Sequence, residues 1–222
     1  TMEGETMNRN AGGIVGLCKG QVIRCVNQGV ITTQVHMAQN QIGGIVGLLY
    51  GEQAQILYSV NKGEVQGYFT VGGIAGAVKY GAEIRNCCNY GTIVGNSILG
   101  GIAGKIGGTG TASDGTAKQS VISTVYNLGS IEGGDITNSP SHMGGIVGEA
   151  GYDDWKEEEL PPMPVIETGY STAVYENTVF DMRGAVIGYF KSGTAGRLYG
   201  LQYGKLQPIA QKDIKGTTLS GE

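Results

Sequence analysis

Residues 72–95 read GGIAGAVKYGAEIRNCCNYGTIVG. Three short apolar runs are set apart by Gly, Asn and small polar residues. Runs of about five residues suit a strand and are too short for a helix. Ile, Val, Tyr and Thr dominate such runs along the chain, and these residues favour a pleated surface. Gly and Asn between the runs are expected to supply corners with positive φ.

Working outward, the same unit recurs. The block GGI[VA]G begins at Gly12, Gly43, Gly72, Gly100 and Gly144, and a weaker copy, GAVIG, begins at Gly184. The intervals are 31, 29, 28, 44 and 40 residues; the shorter ones define the unit and the longer ones carry insertions at 107–120 and 152–164. After each block comes a second segment: VIRCVNQG (22–29), ILYSVNKG (56–63), IRNCCNYG (84–91) and ISTVYNLG (122–129), with a degenerate IETGYSTA at 166–173. Asn27, Asn61, Asn89 and Asn127 fall at one position of it, and Ile31, Val65, Ile93 and Ile131 follow two residues past its last Gly.

Self-similarity at a fixed period is the mark of a repeat architecture. Stacking one unit on the next places like on like, as parallel strands about 4.8 Å apart. It makes an internal ladder of Ile14, Ile45, Ile74, Ile102 and Ile146 and a second ladder of the four asparagines. Stacked Asn side chains can bond one another and the turn backbone. A propeller blade takes about 40 residues, more than the shorter units here. The expected fold is therefore all-β: a parallel β-helix or β-solenoid of five to six coils, three short strands per coil. Right-handed winding is expected because parallel crossovers are right-handed. Repeats are expected over 1–190, with 191–222 as a C-terminal cap or degenerate last coil. The opening TMEGETMNRN reads as the tail of a repeat, which suggests a fragment of a longer protein.

Composition narrows the function classes. Glycine supplies 41 of 222 residues, without the G-X-Y period of collagen. A net charge of −4 gives no footprint for nucleic acid. No apolar run reaches the roughly 20 residues of a membrane span. The cysteines, Cys18, Cys25, Cys87 and Cys88, lack zinc spacing, and their low density argues against a disulfide scaffold. Adjacent Cys87 and Cys88 should point to opposite faces of a strand.

The segment 72–95 is similar to the GLUG-motif repeat, GGIVGxxxGxIxNCYNxGxVxG, and GGIVGLLYGEQAQILYSVNKGEVQG (43–67) is nearly as close. The resemblance covers about residues 4–150 and weakens through 190. It implies a secreted or cell-surface repeat module of a bacterial protein, joined to further domains, with adhesin-like proteins and immunoglobulin A proteases among its relatives. The motif carries no catalytic residue.

No catalytic, cofactor-binding or metal site is expected from the residues themselves. Glu64, Glu83 and Glu132 read as scattered and unpaired, the histidines are only His36 and His142, and there is no HExxH. GGIAGK at 100–105 lacks the flanking residues of a phosphate loop. Recognition is expected where the repeat is broken. The insertion at 107–120 is small and polar and reads as flexible. The one at 152–164 holds Tyr152, Asp153 and Trp155, the candidate ligand contacts. An exposed aromatic beside acids can take a sugar or a basic protein patch, so a host glycan or matrix protein is the expected partner class. The bland reading is that Trp155 anchors its own loop. The expected function is a non-catalytic extracellular module, adhesive or spacing, monomeric in itself. The alternatives are an accessory domain of a larger secreted protease and a β-helix carbohydrate-active enzyme.

Overall fold

In the computed structural model each GGI[VA]G block turns a corner at its second glycine and isoleucine, between two strands. The structure describes residues 10–33, 40–107, 109–111, 115, 117–133, 141–151, 164–176, 182–202 and 205–208, and among these there is no helix. Coil 3 shows the plan. Strand Thr70–Gly72 ends on the first glycine of the block, and strand Ala75–Lys79 starts after the isoleucine. Glu83–Asn89 and Ile93–Gly95 complete the turn. A coil thus has four strands where three runs were expected, because the first run breaks at its glycine pair. Equivalent strands stack into four sheets, of six, six, nine and five strands.

Stacking is parallel and in register. Gly43, Gly72, Gly100, Gly144 and Gly184 align in the first sheet. Ile56, Ile84, Ile122 and Ile166 align in the third. The column continues past residue 190: Thr194–Gln202 lies in register on Val165–Ser171, and Lys205–Pro208 then turns back antiparallel to it.

The isoleucines after each glycine pair form the expected ladder. Ile45, Ile74, Ile102 and Ile146 are fully buried and pack with the third-sheet isoleucines in one core. Val186 continues the row. A fully buried Ile contributes about 1.5–3 kcal/mol. Ile14 departs from the expectation: it is 44% exposed, in the coil that lies at the edge of the sheets among the described residues. A second core joins the first and fourth sheets through Ile42, Val71, Leu99 and Met143 against Val65, Ile93 and Ile131.

The expected positive-φ glycines stand at the corner after the second-sheet strands, at Gly51, Gly81 and Gly151, and not in the repeated block. Those of the block are needed for close approach. A Cβ on Gly73 would lie 2.3 Å from Asn89 Cγ and 2.2 Å from the Gly101 carbonyl oxygen. A Cβ on Gly76 would lie 2.3 Å from the Ile42 amide nitrogen, across the contact of the first two sheets.

Besides Tyr80 beside Gly81, the positive-φ residues other than glycine are Arg24, Tyr58, Asn86, Thr124, Thr168 and Arg197, one per coil, midway along the third-sheet segment. The reason is parity. Side chains alternate along a strand, so residues five apart should face opposite ways. Yet Ile84 and Asn89 are both buried. The left-handed residue Asn86 resets the alternation, with Arg85 and Asn86 both outward and Cys87 inward. Cys87 and Cys88 then do face opposite sides, as expected: Cys87 is buried and Cys88 only partly so, and all four cysteines are free.

Candidate functional site

The Asn ladder is the most completely bonded feature of the column. Nδ2 of Asn27 donates to Oδ1 of Asn61, Asn61 to Asn89, and Asn89 to Asn127, each at 2.8 Å. Each amide also closes its own corner. Nδ2 of Asn89 donates to the Gly91 carbonyl at 2.8 Å, and the Gly91 amide donates back to Oδ1 at 3.2 Å. An Asn side chain has two donor hydrogens and two acceptor sites, and Asn89 uses all four. In coil 5 Ser171 takes this position, accepting from Asn127 Nδ2 at 3.5 Å, and in coil 6 it is Gly200.

Because the ladder residue points inward, the residue before it points outward. Val26, Val60, Cys88, Tyr126, Tyr170 and Tyr199 therefore form an outer row on the third sheet. The Tyr126 and Tyr170 rings lie 4.7 Å apart between centroids. Tyr58, Tyr90 and Tyr199 are exposed on the same sheet or at its edge. The Tyr126 and Tyr170 rings are tilted by 40° to one another, and a tyrosine hydroxyl both donates and accepts hydrogen bonds, which suits a polar ligand. The aromatic row was legible as Tyr126–Asn127 and Tyr170–Ser171, and the sequence reading passed over it.

Beside this row runs a polar one. Gln21 Nε2 donates to Gln55 Oε1 at 2.8 Å, Gln55 Nε2 to Glu83 Oε2 at 3.2 Å, and Arg85 Nη1 to Ser123 Oγ at 2.7 Å. Glu83 is not unpaired, as the sequence suggested: Arg85 lies 3.2 Å and Lys118 3.4 Å from its carboxylate. Burial raises the Glu83 pKa, but the two cations outweigh it and hold the carboxyl below its ordinary value. Lys118 comes from the insertion at 107–120. Its described part forms an antiparallel pair, Thr109–Thr111 with Ala117–Gln119, in place of the expected flexible loop. Lys118 Nζ also donates to the Glu52 carbonyl, so this hairpin reaches back along the column.

Acid and base side chains converge at one further place. His142 Nδ1 lies 3.0 Å from Glu149 Oε2, and Lys105 Nζ lies 3.5 Å from the same oxygen. Lys105, Glu149 and Tyr189 are neighbours along the second sheet, and His142 ends up beside them from the first. The Tyr189 ring sits 4.7 Å from the imidazole. Burial raises the Glu149 pKa, and the His142 hydrogen bond and the Lys105 charge more than offset this, leaving it lowered. An imidazole fixed by a carboxylate is half of a nucleophilic pair. Here the imidazole and the carboxylate are both buried inside the stack.

Of the remaining sequence candidates, Tyr152, Asp153, Trp155 and His36 lie outside the described residues. Both insertions leave at one corner: 107–120 follows Ala103–Gly107 and 152–164 follows Val147–Ala150, adjacent strands of the second sheet. Burial pushes the Cys87 thiol up to about 12, which suits an inert core residue. Among the described residues no group of three or more His, Cys, Asp or Glu is placed to hold a metal ion, and no helix is long and apolar enough to cross a membrane. The chain matches no family model, no curated protein and no solved structure.

Proposed function

We propose that the chain is a non-catalytic extracellular repeat module of a bacterial surface protein, acting in adhesion or as a spacer. One observation carries the reading: the recurring side chains are spent on the column itself. The isoleucines fill the core, the asparagines bond coil to coil, and the glycines permit the close approaches between them. The likeness of 72–95 to the GLUG motif supplies the bacterial and extracellular parts of the proposal. The enzyme alternative asks for two carboxylates on one grooved face. The His142 cluster has a single carboxylate, and it is buried.

The adhesive version uses the breaks in the repeat and the tyrosine row, with a host glycan or matrix protein as partner. The test is the purified chain on glycan and matrix-protein arrays, beside Trp155→Ala and Tyr170→Ala. Binding that drops about tenfold in either variant supports adhesion, and silence on both arrays supports the spacer. Release of new reducing ends or unsaturated sugars from a polysaccharide panel sinks the non-catalytic reading.

A further inference from the structure

The two ends of the column differ in chemistry. Among the described residues, the coil 1 strands Asn10–Gly12, Val15–Cys18, Gln21–Ile23 and Ile31–Thr32 lie at one edge of their sheets. Core positions there are incompletely covered. Ala11, Val15 and Ile31 are half-buried, whereas Ile42, Val46 and Val65 at the same positions of coil 2 are fully buried. Backbone groups repeat the pattern. Coil 2 donates its Gln55, Val60 and Lys62 amides to the carbonyls of Gly20, Cys25 and Asn27. By the same register the amides of Gln21, Val26 and Gln28 point away from coil 2.

The ladder has a direction as well. Each amide group donates to the oxygen of the next coil, from Asn27 towards Asn127. Oδ1 of Asn27 accepts from the Gly29 amide at 3.1 Å and has a second lone pair, the one that in Asn61 and Asn89 takes the preceding coil's donor. The other end of the ladder is Ser171 and then Gly200, which has no side chain to continue it.

We propose that the coil 1 end is a docking surface for one more coil of the same repeat class, with Asn at its ladder position. Such a coil supplies every missing element at once: parallel strands for the four edges, an apolar residue over Ile14, and an Nδ2 donor for Asn27. A second copy of the chain does not supply them. Two coil 1 ends would set Asn27 Oδ1 against Asn27 Oδ1, acceptor against acceptor, and the far end offers Gly200.

The test inserts a copy of residues 70–97 between Arg9 and Asn10 of the full chain, in register with the repeat. Stacked repeats add stability through each new interface. Tm should rise by roughly 5–10 °C, and exchange of the Gln21, Val26 and Gln28 amides should slow about 100-fold. Placing Asp in the inserted copy of Asn89 removes the donor and should abolish most of both gains. A second insert, a copy of residues 41–69, guards against a junction that fails to fold. The proposal is overturned if neither insert raises Tm, or if the Asp version gains as much as the Asn version. Sedimentation of the unmodified chain as a dimer with those amides already protected also overturns it, in favour of a second copy.

Discussion

Coils 3 and 6 share one column and differ at two positions that touch. Coil 3 has Gly73 against Asn89, and a Cβ at 73 would collide with the Asn side chain and with the Gly101 carbonyl. In coil 6 the pair is Ala185 and Gly200. Coil 5 stands between them, with Gly145 against Ser171. With Ser171 the glycine is still needed, since a Cβ on Gly145 would lie 2.4 Å from Ser171 Oγ and 2.2 Å from the Ala185 carbonyl oxygen. In coil 6 position 200 has no side chain, and among the described residues no further coil sets a carbonyl against Ala185. The second glycine of the block is therefore a partner of the ladder residue, and its reason lies in packing rather than in backbone conformation.

The largest test breaks the inner ladder. Asn89→Ala strands the Asn61 donor, the Asn127 acceptor and both Gly91 backbone groups in a buried site. Each unsatisfied group costs about 1–3 kcal/mol, so a loss of roughly 4 kcal/mol is expected after relaxation. Ser171→Ala, at the weak end, should cost about 1 kcal/mol. Urea denaturation of the two variants compares them, and equal losses would deny that the ladder fades along the column.

A second test rebuilds coil 6 in the image of coil 3. Gly200→Asn alone should be destabilising by about 1–3 kcal/mol through overpacking against Ala185. Adding Ala185→Gly should recover 1 kcal/mol or more, a coupling that a double-mutant cycle reads directly. Strict additivity would mean that the two positions are independent.

The smallest effect comes from acid. Glu149 in coil 5 has its carboxyl held below its ordinary value. Its pairing with His142 and Lys105 thus stabilises the fold above the unfolded-state value near 4.5 and is lost as pH falls through the folded-state one. Glu83 in coil 3 has the same sign, so the wild-type chain should weaken below about pH 4.5 at both places. Glu149→Gln should flatten part of that slope in urea midpoints taken from pH 6 to pH 3. The Asn ladder does not titrate, and hydrogen exchange should show coils 5 and 6 loosening before coil 2.

How much of this was legible depends on whether a residue recurs. The Ile ladder could be read because coils 1 to 5 repeat it at one offset, and the Asn ladder because coils 1 to 4 do. The break of the first run into two strands was not read, although it falls at the glycine pair, because the backbone approaches that need a residue without Cβ at Gly72 and Gly73 come from across the corner and from the next coil. The His142, Glu149 and Lys105 cluster was hidden for the opposite reason. Each residue occurs once, where neighbouring coils have Ile98 and Ala77. The Glu83 pairing needed Lys118 from an insertion, whose fold composition did not indicate. Tyr152, Asp153 and Trp155, chosen because they interrupt the repeat, fall in a segment outside the described residues.

The in-register stacking has a mechanical corollary. Hydrogen bonds between coils run along the column, so a pull applied at its two ends loads the interfaces in series. The end coils peel first, one interface at a time, and a coil of 28 residues (the Gly72-to-Gly100 interval) pays out roughly 90–100 Å of extended chain. A tether built this way yields in steps under tension while its inner coils stay folded.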